Sequence, residues 1–359
     1  MAAIKPEKIN ILLEDGHTNV SAQAPVIISA SRSTDIPAFY CDWFFHRMKV
    51  GYSVWTNPFN GVKMYISYAN TRFIVFWSKN PRPLLNHLDE LKNRNIGCYV
   101  QFSLNDYEEE HLERGVPPLN ERIETFKMIV NELGKGGVIW RFDPLLLTDD
   151  IDIDKLLLKI ENIGNQLVGY TEKLVFSYAD IKKYRKVESN LKANNIPYRE
   201  WTDDKMEEFA RKLVDLNKKN NWNFKLATCG EKGRYPGIEP NHCIDDELII
   251  RRGYHDKELM SYLQAEIKPM PIADLFGEIE ELPEKSIVLG NGMYVTRGDN
   301  RDKGQRDFCG CMKSKDIGQY NTCPHLCEYC YANASKEVAL ANWKTHLKNP
   351  KAESIVAIY

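Results

Sequence analysis

Three cysteines within residues 323–330 have the C-x-x-x-C-x-x-C spacing of a metal-binding loop. They are Cys323, Cys327 and Cys330. Thiolates are the usual ligands of a [4Fe–4S] cluster, and three of them leave one iron free to bind another molecule. A structural zinc site normally has four ligands. The spacing therefore predicts a [4Fe–4S] cluster, and the alternative is a zinc site that recruits Cys309, Cys311 or His325.

Four other thiols could form a second metal site, namely Cys229, Cys243, Cys309 and Cys311. Cys229 ends an apolar segment, and a residue just beyond a strand of a parallel β/α barrel faces the active site. Cys309 and Cys311 form a C-x-C pair. We expect the four thiols to bind an auxiliary iron–sulfur cluster, with structural zinc as one alternative and unrelated buried thiols as another.

The two remaining cysteines are expected to be packing residues. Cys41 lies in a strongly aromatic segment that is most simply a core helix. Side chains alternate along a strand, so an inward-facing Ser103 and Asn105 place Cys98 outward, toward a helix. We assign no chemistry to either thiol.

The composition is that of an ordinary globular protein. The chain has 359 residues, a net charge of −2, 43% hydrophobic and 27% charged residues, which excludes a disordered or collagen-like chain. No stretch approaches the roughly 20 apolar residues of a membrane span, and the first residues lack a signal-peptide pattern. The number of cysteines is odd and most of them are clustered, which does not suggest a secreted disulfide scaffold. We expect a cytoplasmic protein with no membrane partner.

Apolar, β-branched segments alternate with helical periodicity over much of the chain, which is typical of βα units and a parallel sheet. The predicted strands are residues 25–31, 72–78, 97–103, 137–142, 173–179 and 224–229. An apolar stripe that begins at Ile123 predicts a helix that stops at Gly134. The fold class is therefore α/β.

The pattern changes near residue 250, which suggests three parts. We expect barrel units over residues 1–250, an insertion or small subdomain with a hairpin over residues 251–308, and a cysteine-rich segment over residues 309–359. The last part ends in a helix-like stretch, which we expect to close the barrel.

The three-cysteine spacing resembles that of the radical S-adenosylmethionine (radical SAM) enzymes, whose open iron binds S-adenosylmethionine (SAM). There the motif lies near the start of a partial β/α barrel, whereas here it lies near the end of the sequence. Other segments resemble segments of the spore photoproduct lyase branch, and they follow one another along the chain in the same order as in that branch. They are residues 26–37, 77–81, 102–105, 113–117 with Arg122, and 140–144. The resemblance implies a circularly permuted partial (β/α) barrel of radical SAM type.

The chain as a whole resembles an uncharacterised bacterial family, domain of unknown function 1848, whose C-terminal cysteines have been likened to the radical SAM cluster. Residues 308–311, 315–318 and 330–333 contribute to this resemblance. The family supplies no substrate.

The radical SAM resemblance implies that side chains at the strand ends hold SAM. Thr34 and Asp35 would accept hydrogen bonds from its ammonium group, and Lys79 would pair with its carboxylate. Ser103 and Asn105 would reach the ribose.

A further charged pair lies on a predicted strand. Arg141 and Asp143 share one face of it and could point into the same pocket. The alternative is a buried ion pair that braces the barrel. His325, inside the cysteine loop, is interpreted as a packing residue or a hydrogen-bond donor to a ligand.

The implied activity is reductive cleavage of SAM followed by abstraction of hydrogen from an unidentified substrate. Such an enzyme needs a reductant such as flavodoxin or ferredoxin. One alternative is a non-enzymatic module that binds zinc or an iron–sulfur cluster. SAM would not perturb the metal centre of such a module. Another is a radical SAM enzyme that acts on nucleic acid, to which the net charge of −2 gives no support.

Overall fold

The computed structural model describes residues 7–272, 280–305 and 308–356. In chain order the strands are β1 (Lys8–Leu12), β2 (Asn19–Gln23), β3 (Ile27–Ala30), β4 (Tyr52–Thr56), β5 (Lys63–Ser67), β6 (Phe73–Ser78), β7 (Gly97–Ser103), β8 (Val138–Leu145), β9 (Leu147–Thr148), β10 (Lys173–Tyr178), β11 (Tyr198–Arg199), β12 (Lys225–Thr228), β13 (Glu239–Pro240), β14 (Glu266–Pro269), β15 (Ile287–Leu289), β16 (Met293–Thr296) and β17 (Lys315–Asp316). The helices are α1 (Ile36–Phe39), α2 (Cys41–Val50), α3 (Leu88–Asn93), α4 (Leu119–Leu133), α5 (Ile153–Leu167), α6 (Arg185–Ala193), α7 (Asp203–Lys219), α8 (Asp246–Gly253), α9 (Lys257–Tyr262) and α10 (Lys336–Lys348), with a 3-10 helix at Arg82–His87.

The central sheet has the strand order β13-β12-β10-β8-β7-β6-β3-β17, and every neighbouring pair is parallel. Strands β3, β6, β7, β8, β10 and β12 coincide with the six segments predicted as strands. The α/β prediction is therefore confirmed for a large parallel sheet.

The sheet does not close into a barrel. Among the described residues, β13 and β17 each pair on one side only, so both are edge strands. Each has two residues, and β13 ends in Pro240, which has no backbone N–H to donate. The final helix α10 packs through Trp343 against Phe39 and Tyr40 and closes no gap between strands.

The edge strand β17 joins a late segment of the chain to its first βα unit. Lys315 and Asp316 pair with Ile28 and Ser29 of β3. The Asp316 carboxylate accepts a hydrogen bond from Ser29 Oγ at 3.0 Å and another from the Arg32 backbone N–H at 2.9 Å. Residues 26–31 therefore neighbour the unit that bears the three cysteines, as the permuted arrangement requires.

Both faces of the central sheet are buried, as is usual for parallel strands. On the outer face, side chains such as Phe76, Phe102 and Trp140 pack with the helices between the strands. The inner face presents Tyr99 and Gln101, and it is covered by α8, α9 and the segment that follows them. Alternation along each strand thus separates an apolar outer layer from an inner face that carries polar groups.

The helices follow their sequence signals. In α4 the apolar stripe is buried, and the helix ends at Gly134, as predicted. Side chains of Asp152, Thr202 and Ser335 accept backbone N–H groups at the starts of α5, α7 and α10, which satisfies donors left free in the first turn. No helix among the described residues has the length and apolar character needed to span a membrane.

Among the described residues there are three smaller sheets, one of which is the antiparallel pair of β9 and β11. The hairpin predicted in the subdomain is formed by β15 and β16, and β14 pairs on the other side of β16. A mixed four-stranded sheet with the order β1-β2-β5-β4 was not predicted from the sequence. Its two outer pairs are antiparallel, and its middle pair, β2 and β5, is parallel. Its strands are half exposed and short, so their apolar periodicity is weak.

We predict that Gly318→Ala destabilises the protein by about 2 kcal/mol, because the segment after β17 contacts the segment after β3 with no room for a methyl group. A Cβ atom at Gly318 would lie 1.7 Å from Ser31 Oγ and 2.5 Å from Ser33 Oγ. The free energy of unfolding in urea measures the effect. Gly290→Ala is the control, since a Cβ at Gly290 meets nothing within 4 Å. Equal effects of the two substitutions would contradict the prediction.

Candidate metal centres

The three predicted cluster cysteines lie in one loop, residues 317–335, which we call the cysteine loop. It leaves the carboxyl end of β17 and leads into α10. Burial raises the pKa of Cys323 to about 12 and the pKa of Cys327 well above its usual value. The charge of Cys330 raises both values further, and Lys79 opposes the shift at Cys327. The three thiols lie in one loop, where a bound cation would favour their thiolate forms.

Residues 112–115 hold the cysteine loop from one side. The Gly115 N–H donates to His325 O at 2.9 Å, and the Glu328 N–H donates to Leu112 O at 2.9 Å. Between these bonds, Glu113 and Cys327 form an antiparallel bridge. A Cβ atom at Gly115 would lie 2.7 Å from Pro324 O, so the two backbones approach as closely as glycine allows.

A carboxylate and an imidazole hold the loop from the other side. Asp35 Oδ2 is 2.7 Å from His325 Nε2 and accepts the Lys79 backbone N–H, while its Oδ1 accepts Ser78 Oγ at 2.6 Å. Burial opposes ionisation of Asp35, but the bonds from His325 and Ser78 hold its pKa below its usual range. The second ring nitrogen of His325 lies 3.0 Å from Gly115 O. His325 thus joins two separate parts of the fold to the loop.

Thr34 makes a third anchor. Its Oγ1 donates to Gln319 O at 2.5 Å and lies 2.5 Å from Thr322 Oγ1. The structure therefore places both Thr34 and Asp35, which were predicted to hold SAM, directly against the cysteine loop. Their side-chain oxygens are engaged there by protein groups.

A buried ionic network lies beside the loop and centres on Glu113. Lys79 Nζ donates to Glu113 Oε1 at 2.6 Å and to Tyr329 Oη at 2.9 Å. Asn105 Nδ2 donates to the same two atoms at 3.0 Å. Burial would raise the pKa of Glu113, but Lys79 and Arg122 lower it to about 2. The structure thus brings together the predicted Lys79 and Asn105.

The sequence analysis assigned no role to Glu113 or to the hydroxyl of Tyr329. Glu113 lies in a segment that was compared with the photoproduct lyase branch, and Tyr329 directly precedes the last thiol. Only the tertiary arrangement shows that the two groups are hydrogen-bonded to each other.

Ser103, the last residue of β7, lies beside Arg141, which is in the middle of β8, and both are on the inner face. Arg141 Nη2 is 2.5 Å from Asp143 Oδ2, and its Nη1 is 3.3 Å from Gln101 Oε1 and 3.4 Å from Cys243 Sγ. The guanidinium is therefore both half of a buried ion pair and a neighbour of a thiol.

The structure also brings Cys229, Cys243, Cys309 and Cys311 together, and we call them the four-thiol group. Cys229 Sγ and Cys243 Sγ are 3.0 Å apart, and the Cys243 N–H donates to Cys311 Sγ at 3.1 Å. Hydrogen bonds from the thiols of Cys229 and Cys311 lower the pKa of Cys243 well below its usual value, and Arg141 adds to the effect. The Cys311 thiol lowers the pKa of Cys309 to about 6.

The other two cysteines lie apart from both sites. Cys98 packs in the outer-face core, opposite in direction to Tyr99 and Gln101, and burial raises its pKa to about 11. Cys41 is buried in the same core at the start of α2. These positions agree with their interpretation as packing residues.

One group of non-thiol ligands lies near the four-thiol group. Ligand atoms of His242, Asp245 and Asp246 fall within 4.8 Å of one another. Asp245 accepts backbone N–H groups at the start of α8, and Asp246 is paired with Arg297. The two carboxylates therefore have protein partners.

The fold and the site together define an α/β protein with a three-cysteine loop and a separate four-thiol group beside an open parallel sheet. Residues 27–332 match the family described as domain of unknown function (DUF1848). The chain belongs to this family, and the match extends from β3 through the three loop cysteines. No curated protein and no solved structure matches the chain significantly.

We predict that Lys79→Met destabilises the protein by about 3 kcal/mol, because it leaves the buried Glu113 carboxylate with too little positive charge. Lys79→Met combined with Glu113→Gln should recover most of the loss, since no unpaired charge remains. Urea unfolding of the single and double variants measures the coupling.

Lys192→Met is the matched control, because Lys192 pairs with Glu188 at the surface. An exposed pair of this kind contributes little to stability, so Lys192→Met should leave the free energy of unfolding nearly unchanged. If the double variant were less stable than Lys79→Met alone, the charge-compensation argument would fail.

Proposed function

We propose that the protein is a radical SAM enzyme that binds a [4Fe–4S] cluster through Cys323, Cys327 and Cys330. The observation that carries this proposal is the placement of three cysteines in one loop, which follows the carboxyl end of a strand in a parallel sheet and is anchored on both sides. Three thiols fall short of the four ligands of a structural zinc site and suit a cluster with one open iron.

The strand order supports the comparison with a permuted barrel. From β17 the sheet continues through β3, β6, β7, β8, β10 and β12, so only β17 departs from chain order. In β/α enzymes the reacting groups lie at the carboxyl ends of the strands. Here the cysteine loop, Ser103 and Cys229 all follow or end strands at that same edge.

When bound, the cluster would supply the electron that cleaves SAM to methionine and a 5′-deoxyadenosyl radical, which takes hydrogen from the substrate. The protein groups around the loop hold it in place before SAM arrives. Asp35 and Thr34 act through His325 and the loop backbone. We therefore propose that their contribution to SAM binding includes fixing the position of the open iron.

The remaining predicted residues are proposed to contact SAM. Lys79 supplies the cation beside Cys327 and Cys330, as a partner for the SAM carboxylate. Asn105 and Ser103 lie at the end of β7, where a ribose would meet them. Arg141 lies further along the inner face, toward the four-thiol group. A one-electron donor such as flavodoxin or ferredoxin would complete the reaction.

The test is electron paramagnetic resonance of the full chain, purified without oxygen, reconstituted with iron and sulfide and reduced with dithionite. We expect a reduced [4Fe–4S] signal that SAM shifts, together with formation of 5′-deoxyadenosine. The Cys323/Cys327/Cys330→Ala variant should lose both the SAM-sensitive signal and the product. Cys98→Ala should keep both, because Cys98 lies in the outer-face core.

Two results would overturn the proposal. One is wild-type protein that contains zinc and no iron–sulfur signal after reconstitution, which would leave a structural metal module. The other is a cluster signal that SAM does not change.

A further inference from the structure

The four-thiol group is assembled from three separate parts of the chain. Cys229 follows β12, Cys243 follows β13, and the C-x-C pair follows the subdomain. A Cβ atom at Gly310, between the paired cysteines, would lie 2.1 Å from His242 Nε2, so a side chain here would displace the His242 ring. Cys229 Sγ and Cys243 Sγ are 3.0 Å apart, and Cys311 Sγ accepts the Cys243 N–H, so thiols from distant segments meet on one inner face. Thiols are the donors that zinc ions and iron–sulfur clusters take.

Positive charge surrounds the group. Arg141 Nη1 is 3.4 Å from Cys243 Sγ. The guanidinium carbons of Arg32 and Arg141 lie 5.6 and 5.2 Å from the centre of the Trp77 ring. Asp143 pairs directly with Arg141, and Asp316 lies near Arg32. Thiolates of the four-thiol group would add negative charge beside both cations.

Hydrogen-bond donors also point at the sulfur atoms. Cys311 Sγ accepts the backbone N–H groups of Cys243 at 3.1 Å and Ile244 at 3.5 Å. Cys243 Sγ accepts Asn241 Nδ2 at 3.2 Å. Hydrogen-bond donors of this kind stabilise metal-binding thiolates, and they also fix the orientation of the cysteine side chains.

We propose that Cys229, Cys243, Cys309 and Cys311 bind a second, thiolate-coordinated metal centre, either a zinc ion or an iron–sulfur cluster. It is separate from the three-cysteine loop and needs no SAM. Arg141 and Arg32 offset the net negative charge of four thiolates around such a centre. The proposal does not depend on the proposed radical SAM activity.

The experiment uses the full chain with Cys323, Cys327 and Cys330 replaced by alanine, so that only the second site can bind metal. Zinc, iron and acid-labile sulfide are measured after anaerobic purification and again after reconstitution. We expect about one zinc ion per chain, or iron with matching sulfide. The first result identifies zinc as the occupant, and the second identifies a cluster.

Further substitutions in this background locate the ligands. Cys309→Ser and Cys229→Ser, tested separately, alter the two partly exposed thiols and leave buried Cys243 in place. Each should weaken retention of the metal against a chelator by at least about 100-fold, since loss of a mere supporting group costs 10–100-fold. Cys41→Ser and Cys98→Ser should retain it. Circular dichroism confirms that each variant is folded.

A cobalt titration gives an independent readout. Co²⁺ added to the chelator-treated, reduced background protein should produce thiolate-to-cobalt charge-transfer absorption, which Cys309→Ser diminishes. Absence of bound metal, or metal that all four variants retain equally, would overturn the proposal. So would a Cys229–Cys243 disulfide in metal-free protein purified anaerobically. Because the background lacks the loop cysteines, failure of the radical SAM assay would leave this result unaffected.

Discussion

The pairing of β17 with β3 is the constraint on which both candidate centres depend. The two-residue strand gives the cysteine loop its starting point at the carboxyl edge of the sheet. Asp316 fixes the pairing through Ser29 and the Arg32 backbone, and Arg32 is itself close to the four-thiol group. A displacement of this edge would therefore move the loop cysteines and alter the charge near the second group.

Compensation of buried charge organises the region between the two centres. Glu113 is balanced by Lys79 and Arg122, and Arg141 is paired with Asp143. Asn105 connects the two sets, because it donates to Glu113 and accepts the Asp143 N–H at 2.8 Å. Buried polar networks of this kind depend on the partners of each member. Glu113 Oε2 and Arg122 Nη1 lie 3.7 Å apart and are paired by charge and not by a hydrogen bond.

The sequence predicted the parts of the fold that local patterns encode. The six central strands are β-branched runs, and parity placed Cys98 on the opposite face from Gln101, as observed. Cysteine type and spacing were enough to group the four thiols. The anchoring of the loop could not be predicted, because Asp35 and His325 are 290 positions apart and neither has a local signal for the other.

The link between Ser29 and Asp316 spans 287 positions, which has a consequence for how the protein is made. Contacts of such high sequence separation form late in folding. During synthesis the strands from β3 to β12 can assemble first, and the outer edge of β3 stays unpaired until β17 leaves the ribosome. An unpaired edge of this kind can pair with other chains. The pairing of β17 with β3 is therefore a late event, and it covers an aggregation-prone edge.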